Sequence, residues 1–184
     1  LEKSAVSRPE ERHFLGFSLW RSIWSGQVDV RLSERTKKRA REKVVELTPR
    51  NFGQSLKTCI ERINSYFRGW FGFFGICSPH VQLTLRALDA HTRRRLRAIQ
   101  LKQWKRKRTI ARKLIGLGVR AKAAWRRIYL GRRSTWNLSR DHTVEKALSN
   151  ASFAERGLVS LLQLWKDKHR KPVIAPRQLE LPWG

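Results

Sequence analysis

The chain has 184 residues, 40% of them hydrophobic, which is enough for one domain of ordinary size or a small domain with an appendage. Its 41 Lys and Arg against 14 Asp and Glu give a formal net charge of +27; that excess calls for a polyanion, with nucleic acid as the leading candidate and an anionic membrane surface as the rival. The lack of a long apolar run excludes a transmembrane helix, and the polar N-terminus excludes a secretory signal. Two cysteines, Cys59 and Cys77, without a CxxC pair argue against a disulfide scaffold and for a reducing cytoplasm.

Residues 1–32 read as an extended segment with a hairpin. His13 to Trp20 partly alternates apolar and polar residues, Ser25-Gly26 offers a turn, and Gln27 to Leu32 alternates strictly. Two strands alone are marginally stable, so the hairpin needs a partner surface. Ser33 then caps a first helix to about Leu47, stopped by Thr48-Pro49. Its apolar positions are few, and Lys37, Lys38 and Arg41 share its surface with Arg35, Arg39 and Lys43. Such a face is either simply solvated or turned to a polyanion.

A second helix, about Gly53 to Gly75, carries Leu56, Ile60, Ile63, Phe67, Trp70 and Phe74 at spacings of 4, 3, 4, 3 and 4, one continuous apolar stripe fit for a core. Gly69, Gly72 and Gly75 near its end are costly in a helix. Either the helix ends early, or another backbone or a phosphate comes close there. Ser78 as N-cap and Pro79 at the first helical position restart the chain in a third helix to about Lys105, with Leu85, Leu88, Leu96 and Ile99 on one side. Three helices on short connections make a small bundle. Beyond Lys107, Gly116-Leu117-Gly118 and Gly131 punctuate two short helical stretches. Thr143 to Leu148 and Phe153 to Trp165 read as further short helices, and the tail from Lys171, with three prolines, as irregular. The fold class is therefore mainly α, with a short N-terminal β-hairpin, a helical bundle and extra short C-terminal helices.

The strongest chemical feature is a window without acids. Between Ala90 and Arg140 there is no Asp or Glu, against 18 Lys and Arg. The candidate phosphate contacts on the third helix are Arg93, Arg94, Arg97 and Lys102. A dense run of Lys105, Arg106, Lys107 and Arg108 follows, then Arg112, Lys113, Arg126 and Arg127. Trp104, Trp125 and Trp136 are candidates for stacking on bases or sugars, though for any single Trp a core position is the plainer reading. Catalytic groups are scarce. No two Asp are adjacent, nothing suggests a two-metal nucleotidyl-transfer site, Cys77-x-x-His80 is only half a zinc site, and no phosphate-binding glycine loop occurs. No catalytic residue, metal ligand or cofactor is assigned to this chain.

Several segments together resemble the group II intron-encoded reverse transcriptase and maturase family. Glu2-Lys3-Ser4 followed by Phe14-Leu15-Gly16-Phe17 looks like the last palm blocks of that family. Asn64-Ser65-Tyr66-Phe67-Arg68-Gly69-Trp70 matches the N-x-x-x-R-G-W signature that opens its maturase-specific domain. Leu88-Asp89, Arg93 to Arg97 and Gln103-Trp104-Lys105 match the next helix, and Trp136-Asn137-Leu138-Ser139 with Ala147 to Ala151 resemble the C-terminal ends of bacterial members. The resemblance runs from Lys3 to about Trp165 and is specific through the order and spacing of its blocks.

It implies the edge of a polymerase palm over residues 1–32, a helical thumb and maturase-specific bundle over 33–106, a basic helical extension over 107–170 and an irregular tail over 171–184. By resemblance, Lys3 lies near the nucleotide site of the intact enzyme, and Arg68 and Trp70 belong to the family motif; these two are read as shaping the thumb rather than catalysing, with Arg68 also among the candidate RNA contacts. The family's catalytic aspartates and the Mg2+ they hold are expected in a palm preceding Leu1; the absence of Met from the chain fits a fragment or processed product. The tail lacks the cysteines of an endonuclease domain. The implied partners are group II intron RNA, an RNA template with its DNA primer, and the fingers and palm of the same enzyme. No membrane is involved, and the implied setting is bacterial cytoplasm, at the nucleoid through the intron ribonucleoprotein. A stand-alone RNA-binding or assembly protein and a complementing subunit of a split reverse transcriptase are the alternatives.

Overall fold

The computed structural model describes residues 13–21, 26–49, 51, 53–131 and 134–170. The described chain is mainly helical, behind a small antiparallel sheet in the order β1 (His13–Phe14), β2 (Phe17–Arg21), β3 (Val28–Leu32). The segment expected as one extended strand folds back on itself at Leu15-Gly16. Both residues have positive φ, 49° and 88°, as a two-residue hairpin that follows the strand twist requires. Gly16 also lies against the next helix: its carbonyl accepts from Thr36 Oγ1 at 2.7 Å, and a Cβ there would stand 2.6 Å from that oxygen. Gly26 has φ +65°, as a turn glycine should, while its expected turn partner Ser25 lies outside the described residues.

Helix α1 (Glu34–Leu47) begins where its cap predicts, with Ser33 Oγ accepting from Thr36 N. Helix α2 (Leu56–Phe74) is capped in the same way by Ser55, and its stripe faces inward: Ile60, Ile63 and Phe67 are buried, and Leu56, Trp70 and Phe74 pack against them. Of the two explanations for its glycines, early termination fails, because α2 runs through Gly69 and Gly72 to Gly75. Nor does any other described part of the chain approach closely, since a Cβ at Gly69 or Gly72 would meet nothing within 4 Å among the described residues.

Helix α3 (Val81–Gln103) starts later than its sequence suggests. Ser78 does not cap it; its N–H and Oγ instead serve β3, donating to Val30 O at 2.9 Å and accepting from Val30 N at 3.0 Å. His80 opens α3 without a side-chain cap. Helices α4 (Lys107–Gly116) and α5 (Ala121–Tyr129) form the next pair. Four short helices follow: α6 (Thr135–Leu138), α7 (His142–Ala147), α8 (Asn150–Glu155) and α9 (Leu161–Lys168). The stretch from Phe153 to Trp165 is thus two helices, broken at Gly157 with φ +82°.

One apolar core runs from Leu32 through Ile63, Phe67, Leu96 and Leu114 to Phe153 and Trp165. The late helices are tied to α2 and α3 by polar side chains. Asn64 on α2 donates Nδ2 to Gly157 O at 2.7 Å and accepts from Val159 N at 2.9 Å. Asp89 on α3 receives Ser160 Oγ, Leu161 N and Leu162 N at the start of α9. Trp165 Nε1 donates to Cys77 O at 3.0 Å. No helix among the described residues is long and apolar enough to cross a membrane.

Candidate nucleic-acid interface

The basic residues separate into exposed ones and ones consumed by the fold. Arg95 is buried and closes the C-terminus of α1, with Nε on Thr48 Oγ1 and Nη2 on Thr48 O at 2.5 Å. It supplies the donors that the last carbonyls of a helix lack. Arg97, a candidate phosphate contact by sequence, is only 6% exposed: Nε donates to Leu148 O at 3.0 Å and Nη1 pairs with Glu145 at 2.8 Å. The helix puts residue 97 beside α7, where the loop carbonyl needs a donor, so its guanidinium is a tie between α3 and α7 and no part of an open surface. Burial pulls the Arg97 guanidinium below its usual pKa against the opposing pull of Glu145, and burial does the same to Arg93.

Around those ties lies a concavity of about 730 Å³ between α1, α3 and the α6–α7 turn. Arg41 comes from α1, Arg93 and Arg94 from α3, and Arg140 from the turn; Ala87, Ala90 and His91 line it from α3, and its one carboxylate, Glu145, already holds Arg97. Arg94 lies flat on Trp136, with its guanidinium carbon 3.6 Å from the ring centroid, so Trp136 serves as a platform for an arginine. His91 is held below the ordinary histidine pKa by burial first and then by Arg95, Arg41 and Arg94.

A second basic region is carried by α4 and α5. Arg112 and Lys113 border a hollow of about 690 Å³ with Trp104, Leu117 and Arg156. Arg126 and Arg127 border another of about 410 Å³ with Arg120 and Lys122. Lys105, Arg106 and Arg108 are exposed at the α3–α4 junction, Lys105 with φ +57°. Lys107 is half-buried and donates to Gly131 O at 3.2 Å. Lys102 is exposed and bonded to Asn51 Oδ1. Trp104 is half-buried against the core, whereas Trp125 is 36% exposed and lies 5.7 Å, centroid to centroid, from the exposed ring of Tyr129.

On α1 the signs are mixed. Lys37 pairs with Glu34 at 2.7 Å, Lys38 with Glu42 at 4.0 Å and Lys43 with Glu46 at 2.6 Å, while Arg41 turns toward the arginine-lined concavity. Of the family-motif residues, Lys3 lies outside the described residues. Phe14 and Leu15 are exposed, Arg68 and Gly69 sit on the open side of α2, and Trp70 packs on Phe74 at 4.8 Å between centroids. Asn64 is a structural tie. Sequence reasoning passed over His91, Arg120, Lys122, Arg140 and Arg156, although all but Arg156 fall inside the acid-free window.

Cys59 and Cys77 are buried free thiols whose pKa values burial pushes up to about 11. Cys77 is enclosed, while His80 is turned outward with Nε2 3.3 Å from Asp29. Among the described residues no three His, Cys, Asp or Glu side chains are grouped to hold a metal ion.

Residues 37–115, from within α1 to the end of α4, match the family model described as the group II intron maturase-specific domain. No curated protein matches the chain.

Proposed function

From the match of residues 37–115 to the group II intron maturase-specific domain, we propose that this chain binds group II intron RNA and assists its splicing, and that in the intact enzyme it grips the template–primer for reverse transcription. The observation that carries this reading is the sorting of charge. Most of the described cations of the acid-free window are exposed, and many of the described cations border three hollows. Such surfaces bind a polyanion by neutralising phosphates and releasing counterions. The mechanism is binding: rigid helices fix the spacing of the cations, and that spacing selects RNA geometry while the intron supplies its own splicing chemistry. The template–primer role is supported by the N-terminal hairpin, which leaves Phe14, Leu15 and Trp20 exposed, as the edge of a larger palm would. Mg2+ and phosphoryl transfer belong, on this reading, to that palm.

The test compares binding of this chain to a structured group II intron RNA and to an unrelated RNA of equal length across a salt series. Both should weaken steeply with salt. A preference for the intron that persists at higher salt supports the maturase role, and equal affinity for both RNAs at every salt concentration overturns it.

A further inference from the structure

The arginine-lined concavity between α1, α3 and the α6–α7 turn has properties that an extended basic face does not need. Its cations come from three separate parts of the chain, Arg41, Arg93 with Arg94, and Arg140, and the tertiary fold alone brings them together. Like charges gathered in one hollow repel one another, and the one carboxylate that lines it, Glu145, is hydrogen-bonded to Arg97 at 2.8 Å and offsets only part of that repulsion. Arg93 and Arg94 are only partly open to water, which strengthens their interaction with any anion that enters. Stacking on Trp136 at 3.6 Å holds the guanidinium plane of Arg94 in place. His91 sits in the same wall, and its buried Nε2 has no hydrogen-bond partner among the described residues. The volume, about 730 Å³, is that of a ligand pocket and exceeds what one oxyanion alone would fill.

We propose that this concavity is a discrete phosphate-ester site, in which Arg93 and Arg94 fork the phosphate oxygens and Arg41 and Arg140 close over them from the mouth. The phosphate is presented either by a sharply bent RNA backbone or by a small soluble phosphate compound; only the first source rests on the RNA-binding reading above. The site is separate from the α4–α5 surface, so the two can be tested apart.

The experiment uses the full chain and inorganic pyrophosphate as the probe, titrated calorimetrically at constant ionic strength. One site per chain is expected. The variant R41Q/R140Q changes two exposed residues outside the core and should weaken pyrophosphate about tenfold, while R126Q/R127Q on α5 should leave it unchanged. Thermal unfolding checks that each variant is folded; should the double variant fail that check, the single variants R41Q and R140Q serve, each with about a threefold loss. Equal weakening by the two double variants, or none by R41Q/R140Q, would mean a diffuse counterion effect and overturns the proposal. The source is read by competition. Displacement of RNA by pyrophosphate from the unmodified chain but not from R41Q/R140Q supports the backbone source. Site-specific pyrophosphate binding with RNA affinity untouched by R41Q/R140Q supports the soluble one. If the chain fails to prefer intron RNA and yet binds pyrophosphate at this site, the maturase reading falls and the phosphate site stands.

Discussion

The carboxylate of Asp89, in the middle of α3, accepts the backbone N–H of Leu161 at 3.0 Å across a separation of 72 residues. With Ser160 Oγ at 2.6 Å and Leu162 N at 3.2 Å, it caps α9 from another helix. The donors at the start of α9 would otherwise be orphaned near the core, and the +0.5 charge equivalent at a helix N-terminus favours the anion further. An acid beside the most basic stretch of the chain thus has a structural task.

Asp89→Ala should therefore destabilise the chain by about 2–3 kcal/mol, because it leaves buried donors without an acceptor. Asp89→Asn, which retains one acceptor oxygen, should cost less. Urea unfolding checks both, and a D89A midpoint equal to that of the unmodified chain would contradict the capping role.

Arg97 and the pair Arg126 and Arg127 should respond in opposite ways. Arg97→Gln removes the tie to Leu148 O and Glu145 and should lower stability by about 2 kcal/mol. R126Q/R127Q should leave the thermal midpoint nearly unchanged, weaken RNA binding and reduce the magnitude of the log–log salt slope by about 0.7–0.9 for each phosphate that is no longer neutralised. Melting curves and a salt series separate the two behaviours.

Gly69 and Gly72 sit inside α2 on its open side, with free space around each. Replacing either with Ala should stabilise the isolated chain by about 1 kcal/mol, since Gly is that much poorer in a helix interior. A loss of RNA affinity in the same variants would identify this side of α2 as a place of close backbone approach; unchanged affinity would limit the effect to helix stability.

His91 has its pKa lowered in the folded state, by burial and then by Arg95, Arg41 and Arg94, so the folded chain holds this imidazole neutral. The unfolded chain takes up its proton near the ordinary value of 6.5, and the folded chain does so only at lower pH. The stability tied to His91 is present above 6.5 and is lost as pH falls through the lowered folded value. His91→Gln should flatten that acid-side decline relative to the unmodified chain, as followed by urea midpoints between pH 7.5 and pH 5.

The local parts of this fold were legible in the sequence. Ser33 and the 4-3-4-3-4 stripe announce α1 and α2 because caps and helix faces depend on neighbours within a few residues. The roles of Ser78, Asn64, Asp89 and Arg97 were not legible, since each is set by a partner far along the chain: Val30, Val159, Leu161 and Leu148. The four residues of α6 were missed because so short a helix has no periodicity to read. For the basic surface, the acid-free window shows only where along the chain the positive charge is concentrated. Counting charges could not separate an arginine that ties two helices from one that faces outward, nor show that Arg41 and Arg140 meet across a hollow.

The long separations of these ties have a consequence for synthesis on the ribosome. Asn64 waits 95 residues for Val159, and Cys77 waits 88 for Trp165. At about 5–20 residues per second, the end of α2 waits roughly 5–19 s, and the end of α3 roughly 3–13 s, for α9 to be completed. During the first of these intervals the cationic stretch from residue 90 to residue 140 is synthesised in full. The nascent chain thus presents its basic stretch before its core is sealed, and RNA bound there, as proposed above, would join the protein while the protein is still folding.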